Sequence, residues 1–160
     1  QTQFTHFAGY HASLVVRSAL FSLPAKIKKD HIPRVTFCDP EIASVGVTSE
    51  GPGIETYRVE YDGLDRAIAG GRRDGFAQIW VKNGRVRGAT IVGAQAGELI
   101  HFWSLVIAQN LKLSKVSTVI TPYPTLSDIN KKLIGAYFSP RLFDNSKIKS
   151  FVKFIQNWVP

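Results

Sequence analysis

Apolar positions along the chain change their spacing from segment to segment, and each change predicts an element. From Thr5 to residue 22, Phe7, Tyr10, Leu14, Ala19 and Phe21 lie near one broad face of a helix. Thr5 is its expected cap and Leu23-Pro24 its stop. Arg34 to Cys38 is a short β-rich run ended by Asp39-Pro40, and Glu41 to Val47 is apolar and reads as extended or irregular. Ile54 to Tyr61 alternates like a strand, and Leu64 to Ala69 reads as about one helical turn before Gly70-Gly71. Two β-rich runs, Phe76 to Val81 and Val86 to Val92, flank Asn83-Gly84, the residue pair that a type I′ hairpin turn favours. The period then becomes helical. Leu99, Ile100, Trp103, Val106 and Ile107 form one stripe between Ala96 and about Asn110. A short helix capped by Ser114 is expected next.

The stretch TPYPTLSD, residues 121 to 128, breaks this regularity. Pro122 and Pro124 each fix φ near −65° and remove a donor, and each pushes the residue before it towards extended geometry. The result is a stiff arm carrying Tyr123. Thr125 and Asp128 then read as the two ends of a capping box, T-x-x-D. Leu126, Ile129, Leu133, Ile134, Tyr137 and Phe138 follow at helical spacing. Beyond them, residues 144 to 160 are a basic amphipathic tail with Ile148, Phe151, Val152, Ile155 and Trp158 on one face. Strands joined by short turns rather than long crossovers imply an antiparallel sheet. The expected class is α+β, a sheet of about four or five strands with helices packed on one face.

Composition narrows the function classes. The 44% apolar and 20% charged residues are those of a globular domain with a core. No apolar run reaches the length of a membrane span, and no membrane partner is expected. One cysteine, Cys38, excludes an internal disulfide or redox cysteine pair and fits a cytoplasmic setting. The net charge of +8 invites nucleic acid, but the basic residues are scattered and no nucleic-acid motif accompanies them. No nucleic-acid partner is expected. The dinucleotide fingerprint and the P-loop are absent. Gly70 to Gly75, with Arg72 and Arg73, reads as a flexible loop in preference to a phosphate cradle. His6, His11, His31 and His101 stand at no metal spacing. Asp39, Glu41, Asp62 and Asp65 read as turn carboxylates bonding nearby backbone. The chain has no methionine and opens inside an aromatic stretch, so a piece of a longer polypeptide is expected, although a processed N-terminus explains the missing initiator equally well.

Four segments in order carry a resemblance: FTHFAGYHASLVVRSALF, RVTFCDPEIASVGVTSE, GFAQIWVKNGRVRGATIVGAQAGELI and TPYPTLSDINKK. Together, over residues 4 to 138, they resemble the C-terminal third of the pyridine nucleotide–disulfide oxidoreductases. These are FAD enzymes that include dihydrolipoamide dehydrogenase, glutathione reductase and mercuric reductase. The most specific parts are Asp39 to Gly46 and Gly88-Ala89, Gly93 and Ala96-Gly97-Glu98. The resemblance implies that residues 1–22 end an FAD-binding domain, 23–33 are a linker, 34–143 a dimerisation domain and 144–160 a helical tail. It implies a homodimer, with the helix after Thr125 near the two-fold axis. It also implies upstream FAD and NAD(P) domains in the same chain, FAD and NAD(P)H as cofactors of the whole enzyme, and none bound to this piece alone.

The family's motif resembles H-P-T-x-S-E, whose histidine reaches the partner subunit's flavin and disulfide while the glutamate orients it. Tyr123 stands at the histidine position, Pro124 follows it, and Asp128 stands at the glutamate position. The resemblance thus assigns Tyr123 and Asp128 the catalytic positions and makes Tyr123-Pro124 a candidate cis bond. It gives Phe4, Thr5, His6 and Pro124 flavin contacts, the first three around a helix start whose amides suit the flavin's negative charge. A phenol near pKa 10 is a poorer base than imidazole, so the acceptor need not be a disulfide. Mercuric reductases resemble the chain in carrying a tyrosine in this region. They also carry a C-terminal cysteine pair, for which Asn157-Trp158-Val159-Pro160 has no counterpart. Two readings follow: a dimerisation domain completing the partner's redox site, or a stand-alone, non-catalytic dimerising module.

Overall fold

The computed structural model describes residues 4–158; residues 1–3 of the first predicted segment and 159–160 of the tail lie outside the described residues. The chain orders as helix, strands, then helices: α1 (Thr5–Phe21), β1 (Arg34–Thr36), β2 (Glu41–Gly46), β3 (Glu55–Glu60), α2 (Asp65–Ala69), β4 (Phe76–Lys82), β5 (Arg85–Gly93), α3 (Ala96–Ala108), α4 (Leu113–Val116), α5 (Asp128–Phe143) and α6 (Ser146–Gln156). The five strands form one antiparallel sheet in the order β1-β2-β5-β4-β3, so the α+β expectation holds.

The β4–β5 hairpin is the centre of that sheet. Asn83 (φ 54°) and Gly84 (φ 70°) both occupy the left-handed region, as a type I′ turn requires. Strand alternation then divides the faces. Ala43, Val45, Ala77, Ile79, Ala89 and Ile91 are buried beneath the helices. Helix α3 lies on β2 and β5, and α5 on β3 and β4. The α3 stripe read from the sequence, Leu99, Ile100, Trp103, Val106 and Ile107, is buried in full. Trp103 Nε1 donates to Asn130 Oδ1 of α5 at 2.8 Å, so the one polar end of the largest core side chain is satisfied between the two helices. Gly93 (φ 151°) closes β5 where a Cβ would sit 2.5 Å from the Tyr61 ring.

Helix starts are where local reading failed. Phe4, not Thr5, precedes α1, and its side chain supplies no cap bond. Lys112, not Ser114, precedes α4. Helix α5 begins at Asp128 after Ser127, without a side-chain cap; Thr125 Oγ1 instead donates to Pro122 O at 2.7 Å. A backbone carbonyl brought back by the two-proline arm competes successfully for that hydroxyl. The residue that serves α3 is remote. Glu41 Oε2 accepts from Gly97 N at 2.9 Å, so this carboxylate does not bond the nearby backbone that sequence assigned it.

Candidate functional site

The arm runs from the end of α4 to the start of α5 and stands out from the core. Val119 is exposed and Ile120 is 92% exposed. The Tyr123-Pro124 bond is cis, as is Asp39-Pro40, which sequence marked only as a stop. Thr125 fastens the loop to itself, bonding Pro122 O and lying 2.6 Å from Ser127 Oγ. This holds Tyr123 outward, 69% exposed.

The Tyr123 hydroxyl donates to Asp65 Oδ2 at 2.8 Å. Asp65 opens α2, and the turn before it is tied to α5 by Lys132 Nζ donating to Gly63 O at 2.9 Å. Asp65 is thus the carboxylate that meets the phenol, and among the described residues no hydrogen bond joins Tyr123 to Asp128, the residue to which the family resemblance gives the orienting role. Sequence reading had set Asp65 aside as a turn carboxylate. An acid in a short turn gives no sign of a partner 58 residues away. The hydrogen bond to Asp65, and then the charge of Asp65, hold the Tyr123 phenol above its ordinary value of 10.0. The group is thus a neutral phenol near pH 7. Its proton is committed to Asp65 and its oxygen lone pairs are open to solvent. Such a group accepts a hydrogen bond or touches a cation; it does not abstract a proton.

Asp128 lies behind the arm, its Oδ1 buried without a hydrogen bond and its closest cation, Lys131 Nζ, at 3.8 Å. Pro124 and Thr125 border a cleft of about 780 Å³ whose other walls include Cys38, Glu41, Arg66 and Arg72. Arg72 is paired with Asp39 across that cleft, which ties down the glycine-arginine loop.

The second group of sequence-assigned residues lies elsewhere. Phe4 and Thr5 line a cleft of about 1040 Å³ between the start of α1 and the end of β2, together with His11, Lys29, Arg34 and Arg87. Among the described residues, no side chain accepts from the first-turn amides of α1. His11 Nε2 is buried without a partner. His6 stacks on Phe4 with ring centroids 5.2 Å apart, and its Nε2 lies 2.8 Å from Pro33 O. The two clefts have no lining residue in common, so within one chain Pro124 borders a different cleft from Phe4 and Thr5, while Tyr123, Asp128 and His6 line neither. Arg34 and Arg87 escaped sequence reading because basic residues on strands carry no motif.

The family described as "Pyridine nucleotide-disulphide oxidoreductase, dimerisation domain" matches residues 32–134. The chain is 29% identical over 133 residues to a mercuric reductase of Bacillus cereus, covering 79% of this chain and 21% of that one. It is 33% identical over 131 residues to a dihydrolipoyl dehydrogenase of Bacillus subtilis, covering 78% and 28%. Its fold superposes with a TM-score of 0.77 on the HOCl-induced flavoprotein disulfide reductase RclA of Escherichia coli, solved as a Cu(II) complex. That match has 22% identity over 84% of this chain and 32% of the other. The chain thus spans about a quarter of the length of the curated relatives it matches.

Proposed function

Because the chain belongs to the pyridine nucleotide–disulphide oxidoreductase family through its dimerisation domain, we propose that it pairs two subunits of an FAD-dependent, NAD(P)H-oxidising enzyme and lends Tyr123 to the partner's redox site. The observation that carries this reading is the arm itself. A phenol held 69% exposed by two prolines and by Asp65 serves no packing purpose within its own chain. The exposed Val119 and Ile120 beside it supply apolar area for a two-fold contact.

The residues around the start of α1 fit the edge of a flavin. The uncapped first-turn amides and the flanking Arg34 and Arg87 suit a negatively charged ring system. Phe4 and Thr5 would border it there, while His6, bonded to Pro33 O, would hold the entry to the helix. No residue of α1 is buried, and Val15, Val16, Leu20 and Phe21 stay exposed, in keeping with a segment that completes another domain. When bound, FAD supplies the hydride and electron chemistry between NAD(P)H and the acceptor.

From the partner subunit, Tyr123 would meet the reacting centre beside Pro124, with Asp65 fixing the ring and Asp128 keeping negative charge behind it. Its neutral oxygen would steady a thiol proton or a bound cation at the acceptor step. Reduction of the flavin would proceed without it. The test uses the full-length, flavin-loaded protein. Tyr123→Phe should keep the dimer and the rate of flavin reduction by NAD(P)H, and slow electron delivery to the acceptor about tenfold to a hundredfold. A colourless monomer, or a variant with unchanged turnover on every acceptor that the parent reduces, would sink the reading.

A further inference from the structure

Helix α6 carries the most polarised surface of the described residues, and no other described residue buries any of its side chains. Ile148, Phe151, Val152 and Ile155 follow at i, i+3, i+4 and i+7, which lines them along one face. Phe154 and Trp158, with ring centroids 5.9 Å apart, extend that face towards the end of the helix. Lys149 and Lys153, four apart, stand on the opposite side, and Lys147 opens the first turn. Between Ser146 and Trp158 there are three lysines and no acid. The helix is well formed, since Asn145 Oδ1 accepts from the amides of Lys147 and Ile148. Yet no residue of α6 is buried: Phe151 is 62% and Trp158 76% exposed. Its main neighbour is α5, the helix it follows, and Leu142 and Phe143 at the end of α5 are also exposed.

A protein partner for such a helix would need an apolar groove with an acidic rim. A lipid surface offers both features at once. Aromatic rings favour the headgroup boundary, lysines meet lipid phosphates and carboxylates, and a short helix lies in the plane without crossing it. No helix among the described residues is long and apolar enough to span a membrane. The chain's net charge of +8 adds attraction at long range. We propose that α6 binds the surface of an anionic membrane, its Phe151–Trp158 face in the interface and its lysines on the lipid headgroups. The dimer would then hold two such helices, and each would raise the effective concentration of the other at the surface.

Co-sedimentation of the full-length protein with lipid vesicles tests this. Vesicles of equal parts phosphatidylcholine and phosphatidylserine should take up the protein roughly a hundredfold better than phosphatidylcholine alone, as three lysines near an anionic surface imply. The preference should fade as salt rises. Phe151→Ser with Ile155→Ser should weaken uptake at least about tenfold, and Lys149→Gln with Lys153→Gln should remove most of the preference for phosphatidylserine. Since α6 contributes no buried side chain, both variants should fold and keep the parent's mass in lipid-free solution. The proposal fails if the parent binds neither vesicle, or if both variants bind as the parent does. It also fails if the serine variant changes the lipid-free mass, because the face would then be covered by protein.

Discussion

The sheet with α3 and the arm with Tyr123 solve opposite problems. In the first, the large side chains between the sheet and α3 are turned inward, among them Ile79, Ile91, Ile100 and Trp103. Trp103 is fully buried and even its indole N–H is spent on Asn130. In the second, a short rigid stretch spends two prolines, a threonine and a remote aspartate to keep one phenol outside. The core holds the fold together by closing on itself. The arm is fastened by its own hydrogen bonds but leaves its phenol exposed.

Substitutions should separate the two regions cleanly. The largest effect is expected at Trp103→Ala, which empties the core under α3 and strands the Asn130 acceptor. It should cost about 3–5 kcal/mol of unfolding free energy, read by urea denaturation, with the arm's own contacts untouched. A loss as large at Tyr123 would break the comparison, since it would make the arm a part of the core.

A smaller effect belongs to the clasp between β3 and α5. Tyr57 Oη donates to Glu55 Oε2 at 2.7 Å, and Arg141 donates to Tyr57 Oη, to Tyr137 O and to Glu55. The Tyr57 hydrogen bond, followed by those from Arg141, outweighs partial burial and holds the Glu55 carboxyl below its ordinary 4.5. A depressed carboxyl contributes stability that is complete above the unfolded-state value. That contribution is lost as pH falls through the folded-state value. Glu55→Gln should therefore lower stability most near pH 7, where the contribution is complete, and converge on the parent as pH falls below about 4.5, which flattens the acid side of the profile. Because the pair is half-exposed, the effect should be modest.

The smallest effect on stability, and the most informative about the arm, is expected at Asp65→Asn. The Tyr123 phenol is held above 10.0 by Asp65, so the interaction is intact below that value and lost as pH rises through the raised one. Removing the charge should lower the phenol's titration midpoint, followed by NMR of ring-labelled tyrosine, with the unfolding free energy nearly unchanged. An unmoved midpoint would mean that another group orients Tyr123.

What could be read from sequence follows the same divide. Asn83-Gly84 announced the hairpin because a type I′ turn is a demand on two adjacent residues. The α3 stripe was legible because burial imposes a period on neighbours. The arm's stiffness was legible from Pro122 and Pro124. Its fastening was not. Thr125 and Asp128 satisfy a capping pattern, yet the hydroxyl goes to Pro122 O, because the fold returns that carbonyl to it. Asp65 and Tyr123, Glu41 and Gly97, and Trp103 and Asn130 meet only after the sheet has formed, and no local spacing encodes them. The tail was legible as an amphipathic helix; that none of the described residues buries its side chains was not.

The most direct test of the central claim is where Tyr123 points in the assembled protein. With a photo-crosslinking benzoylphenylalanine in place of Tyr123 in the full-length, flavin-loaded protein, irradiation should give a product with the mass of two chains. Peptide mapping should place the link in the partner's flavin-binding domain. A link confined to the tyrosine's own chain would contradict an arm that crosses between subunits.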